Sequence, residues 1–183
     1  MKYITKVRLK NKIFKIYKLD TADIPLFKDF YSIIIDNLKG IEKEFSSHYN
    51  YKRLKKDIEG KSVIYMVYYK EKPIAYSLVY IPNSKNISYW LENCKINNID
   101  KYKLSEMAGA GVIPEFRGYG IQSYLFKLRE KYLKKIKFKW GVSSVHPKNI
   151  YSYNNLIKNN YELVGSGKDK NNHDRLYLKK EVK

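Results

Sequence analysis

Cysteine is nearly missing from this sequence: Cys94 is the single example in 183 residues. One thiol excludes an internal disulfide and any cysteine-rich metal site, and it suits a reducing compartment such as the cytoplasm. Histidine is almost as scarce. His48, His146 and His173 show no metal-ligand spacing, so no metal is expected. No run of eighteen apolar residues occurs, so no membrane span is expected. Met1-Lys2-Tyr3-Ile4 is basic, but no apolar segment follows, and a signal peptide is not expected. Proline (5) and glycine (9) are sparse, and neither an internal repeat nor a low-complexity linker breaks the chain. One domain over residues 1–183 is the simplest organisation, with room for an N-terminal extension over residues 1–12.

Acidic residues are also short: 18 against 37 basic ones leave a net charge of +19. Such a charge raises the question of nucleic acid. Only five of the basic residues are arginine, however, and the lysines are scattered rather than gathered into one patch. The densest run, Lys134–Lys139, falls at a helix end, where positive charge is favourable. A composition rich in Lys, Asn, Ile and Tyr accounts for the charge, and a nucleic-acid partner is not expected. Apolar residues at 44% and aromatics at 15% are enough to build a core and argue against disorder.

The most telling segment is Gly111-Val112-Ile113-Pro114-Glu115-Phe116-Arg117-Gly118-Tyr119-Gly120-Ile121-Gln122. A short apolar stretch ends at a proline, an Arg-Gly-x-Gly turn follows, and a helical pattern runs from Ile121 to Lys135. Glycines in such a turn let backbone N–H groups approach a ligand closely. The helix start adds unsatisfied N–H groups and the positive end of its dipole. Together they suit a phosphate or pyrophosphate, with Arg117 as an added charge. A Walker loop is absent, and the dinucleotide fingerprint fails because Ser123 stands at its third glycine.

Elsewhere, Phe14–Leu19 alternates as a first strand, and Leu26 to Ile35 repeats at helical spacing after Asp20–Asp23 and Pro25. Tyr51–Glu59 predicts a polar helix closed by Gly60. Ser62–Tyr69 and Ile74–Ile81 predict a hairpin. Residues 82–102 read as irregular, with some strand near Ile87–Leu91. Leu104–Val112 reads as a central strand, in which Gly109 and Gly111 suggest a bulge or a close ligand. Val142 to Val145 predicts a strand ending near Pro147, Asn149 an N-cap, Ile150–Asn159 a helix, Asn160–Gly165 a turn into a strand, and Arg175–Lys179 a last strand.

The V-x-P-x-x-R-G-x-G-I run, with Asn149, Ser152 and Tyr161 after it, resembles the acyl-CoA-binding elements of the GNAT superfamily of N-acetyltransferases. Asn160 replaces the usual Gly at a helix exit, the next-best residue for a left-handed turn. The resemblance spans nearly the whole chain and is weakest before residue 60. It implies an α/β fold: a mixed, mostly antiparallel sheet of six to seven strands, helices on both faces, and a splay between strands 4 and 5 where pantetheine lies. It also implies an enzyme that moves an acetyl group from acetyl-CoA, as co-substrate, to a primary amine on a small molecule or peptide, acting as a monomer or homodimer. Backbone N–H groups of Arg117, Gly118, Tyr119, Gly120, Ile121 and Gln122 would hold the pyrophosphate. Val112 would pair with pantetheine, and Asn149 and Ser152 would contact the CoA arm; as an N-cap, Asn149 needs no ligand. Glu115 and Gln122 depart from the residues common in the family.

Acetyl transfer requires an amine that has lost its proton, a donor for the oxyanion and a proton for the departing thiolate. The family's usual tyrosine acid falls at Leu156 here, which has no proton to give. Tyr153, one turn earlier, can substitute, or it is a packed aromatic. Glu106 and His146 are the candidate bases, and a water chain would need neither. Two other readings stand beside the enzyme: a CoA-binding regulatory module without turnover, and a basic acetyltransferase associated with RNA or ribosomes.

Overall fold

Alternating apolar residues carry the first part of the chain into a meander. The computed structural model describes residues 1–46 and 49–182, without the side chains of Lys85, Asn98 and Ile99. Strands β1 (Lys2–Leu9) and β2 (Lys12–Lys18) pair antiparallel about a turn in which Lys10 takes φ 52°. Helix α1 (Ile24–Asp36) has Pro25 in its first turn, where no N–H is needed. It buries Ile24, Phe27, Phe30, Tyr31 and Ile34, the stripe expected at 3.6 residues per turn. Helix α2 (Tyr51–Glu59) starts on Asn50, whose Oδ1 accepts from Arg53 N at 3.1 Å, and ends at Gly60. Strands β3 (Val63–Tyr69) and β4 (Lys72–Val79) form the expected hairpin, and most of their residues are buried.

The second part contains α3 (Ser84–Asn93), β5 (Leu104–Glu106), β6 (Ala110–Val112), α4 (Ile121–Lys135), β7 (Trp140–Val145), α5 (Ile150–Lys158), β8 (Glu162–Lys168) and β9 (Asp174–Glu181). Two sheets result, in the orders β1-β2-β3-β4-β6 and β5-β7-β9-β8. All ladders between these strands are antiparallel except β5–β7. The fold is therefore mixed α/β and mostly antiparallel, as expected, with β6 and β7 in different sheets.

Two expectations need correction. The segment 82–102 is not irregular: Ser84–Asn93 is helical. Ile87, Trp90 and Cys94 are spaced for one helix face and are buried, and Asn83 Oδ1 caps the start through Asn86 N at 3.2 Å. Leu104–Val112 is not one central strand but two short ones in separate sheets. The break at Met107–Gly109 is held from its own neighbours, as described below. This split and the N-terminal strand produce nine strands among the described residues in place of six or seven.

The described residues fall into two compact units. The first comprises Met1–Val79 and Gly109–Leu125, and the second Tyr80–Ala108 and Phe126–Lys183. In the second, Trp90, Cys94, Ile96, Leu104, Val142 and Tyr177 form a core cluster. Burial pushes the Cys94 thiol up to about 12.

Candidate functional site

The first unit carries the whole of the glycine loop. β6 is an edge strand with β4 on one side, in the register Ala75↔Val112, Tyr76↔Gly111 and Ser77↔Ala110. Leu78 N donates to Gly109 O at 3.0 Å, and Ile113 N to Ile74 O at 3.0 Å. Residues 109, 111 and 113 thus turn their polar groups towards β4. By alternation, the N–H and C=O of Val112 face the other edge.

The chain then leaves the sheet at Pro114. A tight turn follows, with Phe116 N donating to Ile113 O at 3.0 Å and Arg117 N to Pro114 O at 3.1 Å. The Arg117 side chain folds back, Nε to Val112 O at 3.4 Å. Gly118 and Gly120 have φ of +79° and +82°, a region costly for other L-residues, and a Cβ built on either would point into open space. Tyr124 N donates to Gly120 O at 3.1 Å, so α4 begins its bonding at Gly120, a residue with no side chain to cap it. The N–H groups of the first α4 turn are those the helix cannot satisfy with its own carbonyls. Val112 and Gly118 to Gln122 therefore come together at one strand edge and one helix start, whereas the backbone N–H of Arg117, expected to hold a pyrophosphate, is already spent on Pro114 O inside the turn. The loop is anchored from behind by rings: Phe116 lies 5.2 Å from Tyr69 and 6.1 Å from Phe14, and Tyr119 lies 6.0 Å from Phe14.

The glycines of the central segment serve a different purpose from the one expected. A Cβ on Gly109 would overlap the Tyr49 hydroxyl and crowd that of Tyr76, and one on Gly111 would press on the Tyr76 ring and Ile34. Side chains of the protein, rather than a ligand, approach these two positions. Tyr49 and Tyr76 belong to a buried aromatic group with Phe27 and Tyr31, whose Tyr31–Tyr49 and Phe27–Tyr76 centroids are 4.8 and 5.3 Å apart. Burial first, then the neighbouring Tyr49, raises the Tyr76 phenol well above its ordinary range.

The second unit holds the remaining candidates. Glu106 is half-buried on β5, opposite Val142, and exchanges both backbone hydrogen bonds with Tyr80 at 2.8 and 2.9 Å. His146 is buried, and its Nδ1 accepts from Lys148 N at 3.1 Å. That bond gives His146 a structural task in the turn after β7. Asn149 N donates to His146 O at 2.8 Å, and Asn149 Oδ1 accepts from Ser152 N at 3.1 Å. The N-cap reading of Asn149 is thus realised. It uses Oδ1 only, and the Nδ2 donors play no part in it. Tyr153 is half-buried one turn along α5, and Leu156 is a core residue at 3% exposure. Asn160 has φ 61°, the left-handed exit expected, and Tyr161 is buried against Gly141.

Arg129 and Ser143 escaped sequence analysis. Arg129 is 1% exposed, donates from Nη1 to Ala108 O at 3.3 Å and stacks on Phe126 at 4.3 Å. Ser143 Oγ donates to Met107 O at 3.2 Å, and Met107 N to Val142 O at 2.7 Å. These bonds take up the polar backbone of the break between β5 and β6, and so fix where β6 begins. The available signal was the i, i+4 row Leu125–Arg129–Leu133, in which a cation interrupts an apolar stripe.

No family model and no curated protein sequence matches the chain. Solved structures do. The GNAT domain of S. lividans PAT superposes with a TM-score of 0.71 at 13% identity, covering 97% of this chain and 96% of that one. A GNAT-family acetyltransferase from Listeria monocytogenes 4b F2365 gives 0.67 at 14%, covering 97% and 100%. The protein yncA from Salmonella typhimurium, solved with its cofactor acetyl-CoA, gives 0.66 at 11%, covering 93% and 94%. At such identities the likeness is one of fold, and the chain has the fold of the GNAT acetyltransferases.

Proposed function

We propose that the protein is an acetyl-CoA-dependent N-acetyltransferase with a primary-amine acceptor. The observation that carries this reading is the edge strand β6 running into two positive-φ glycines and an α4 start whose first residue has no capping side chain. The residues present fit the group: open space at Gly118 and Gly120 admits a pyrophosphate against the backbone. The outward N–H of Val112 offers a strand-like pairing to an amide-bearing arm such as pantetheine, beside a C=O that already accepts from Arg117 Nε. A GNAT-fold neighbour solved with acetyl-CoA supports the same ligand. Acetyl-CoA when bound supplies the thioester. The protein's part is to position it, shield it and handle two protons. In this reading Tyr153 gives a proton to the departing sulfur, and Glu106 takes one from the amine directly or through water.

A regulatory module that binds CoA without turnover is favoured by one fact. Leu156 is a packed aliphatic residue at the position where the resemblance places the acid.

Acetyl-CoA turnover, followed by thiol release across small amines, peptide N-termini and lysine peptides, tests the two readings. Release that depends on an amine supports the enzyme. CoA binding with no release in any class selects the module, and no binding at millimolar CoA overturns both. Within an active panel, Tyr153→Phe is expected to lower kcat by roughly 10²–10⁴ with CoA affinity within about twofold of the parent. Glu106→Gln is expected to depress kcat and shift its pH profile; a rise in KM for the amine alone would mark Glu106 as attracting a cation.

A further inference from the structure

The scatter of lysines along the sequence argues against a nucleic-acid partner, but the fold gathers four of them. Helix α4 ends in a left-handed exit: Lys137 takes φ 59°, its N–H donates to Lys134 O at 3.0 Å, and Phe138 N donates to Leu133 O at 2.9 Å. The exit turns Lys137 out to solvent and buries Phe138. Lys139 N then donates to Lys103 O at 2.8 Å, and Lys139 O accepts from Val182 N at 2.7 Å. The end of α4, the start of β5 and the end of β9 therefore meet around a groove of about 440 Å³, lined by Lys103, Lys134, Lys137, Phe138, Lys139 and Val182. All six residues belong to the second unit.

Little negative charge is set against these lysines. Asp100 Oδ2 accepts from Lys139 Nζ at 2.9 Å and from Trp140 Nε1 at 3.1 Å, and Glu181 lies 4.0 Å from the same ammonium. Both carboxylates are thus engaged by Lys139. Lys103, Lys134 and Lys137 are exposed and form no ion pair among the described residues. A favourable place at a helix end accounts for Lys134 but not for Lys103, which comes from another element. The helical turn Asn98–Lys103, tied down through Asp100, also presents Tyr102. Tyr102 is 76% exposed, and the Lys101 ammonium stands 4.9 Å from its ring centre. An exposed aromatic ring therefore sits between two cations beside the groove.

Three lysines without ion pairs suit a ligand with several negative charges, and lysine, a point charge, takes phosphate in any orientation. An acidic peptide would answer the charge and leave the exposed ring without a task. A nucleobase gives it one, since every base has a flat face that stacks on an aromatic side chain. Only an unpaired base can do so, and RNA presents such bases in its loops and ends. We propose that the groove between α4, β5 and β9 binds single-stranded RNA, with phosphates on Lys103, Lys134 and Lys137 and a base on Tyr102. None of these residues belongs to the glycine loop, so the inference stands apart from the acetyl-CoA reading.

Fluorescence anisotropy with the full chain and a labelled oligouridylate of about twelve nucleotides, within the site size of single-strand binders, tests it. The parent is expected to bind at about 50 mM salt and to lose affinity steeply as salt rises. Lys103→Gln/Lys134→Gln/Lys137→Asn removes three charges and keeps a residue suited to the left-handed exit. It should weaken binding at least about tenfold and flatten the slope of log affinity against log salt by about 2. The corresponding arginine triple variant should retain both. Lys52→Gln/Lys55→Gln/Lys56→Gln, at exposed positions of α2, removes the same charge elsewhere and should stay within about threefold of the parent. Tyr102→Ala should weaken binding by roughly fivefold or more with the salt slope unchanged, and Tyr102→Phe should bind like the parent. Three results with the parent alone would overturn the proposal: no binding at about 50 mM salt, equal binding of the same RNA in a duplex, or equal binding of an oligoglutamate of matched charge. An equal loss in the α2 variant, or unchanged binding in Tyr102→Ala, would overturn it as well. Each of these outcomes leaves the acetyl-CoA reading in place, because CoA binding should be the same in the parent and in the groove variants.

Discussion

Two turns of this protein each lead a strand into a helix, and they are built in opposite ways. The turn between β7 and α5 uses its own polar groups: His146 Nδ1 takes the Lys148 N–H, and Asn149 Oδ1 takes that of Ser152. The turn between β6 and α4 places glycine where a capping side chain would stand, and its two glycines face open space. Its support comes from outside the loop, in the rings of Phe14 and Tyr69, against which the loop's own Phe116 packs. A self-capped turn is stable without a partner. A glycine turn held from behind keeps its helix-start donors directed outward, the arrangement an anion requires.

The largest expected effect breaks this contrast at the glycine loop. CoA at about 100 times its dissociation constant should stabilise the parent by about 2.7 kcal/mol, a rise in Tm of roughly 5–10 °C for a chain of this size. Gly120→Val puts a branched side chain into the open space and is expected to abolish that rise in a thermal melt. It should also lower the ligand-free Tm, because φ near +82° is strained for valine. Gly120→Asn, better tolerated at positive φ, separates the two effects: its fold should survive and its CoA response should still be lost. A full response in either variant would show that the loop does not hold the ligand.

A smaller effect sharpens the contrast at the capped turn. Asn149→Ala should cost about 1 kcal/mol in urea unfolding, the usual value of an N-cap. Asn149→Asp keeps a capping oxygen and should keep stability within about 0.5 kcal/mol. Both variants lack the Nδ2 donors, so both should weaken CoA binding by roughly fivefold, about 1 kcal/mol, if those donors reach the ligand. Unchanged affinity in both would make Asn149 a cap and nothing more.

The smallest effect concerns a third turn, between β8 and β9, which is also self-satisfied but by charge. Burial alone would raise the Asp169 carboxyl. The N–H groups of Asn171 and His173, at 2.8 and 3.1 Å, and Arg175 Nη2 at 2.8 Å hold it below the usual carboxylate range. A depressed carboxyl contributes stability that is fully present above its unfolded pKa, near 4, and is lost as pH falls towards its folded value. Asp169→Asn should therefore be less stable than the parent at pH 6, and the gap should close as unfolding is repeated towards pH 3. A gap that persists at low pH would assign the loss to packing.

Much of this protein was legible from local chemistry. The helix bounds Tyr51–Glu59 and Ile121–Lys135, the hairpin about residue 70 and the left-handed Asn160 all follow from caps, periodicity and turn residues, which act within a few positions along the chain. The glycine loop was legible for the same reason, since a run from Val112 to Gln122 brings its own N–H groups together. Other features depend on residues distant in sequence. Gly109 and Gly111 invite a ligand when read alone, but the fold fills their space with Tyr49 and Tyr76, which arrive from α2's approach and from β4. Arg129 looks like one more surface cation until Ala108 and Phe126 enclose it. The strand expected over Leu104–Val112 divides because Ser143, Arg129 and Leu78 claim the carbonyls of Met107, Ala108 and Gly109. Short-range rules determine which backbone groups a segment can satisfy by itself. Only tertiary structure decides which side chain, from elsewhere in the chain, satisfies or displaces the rest.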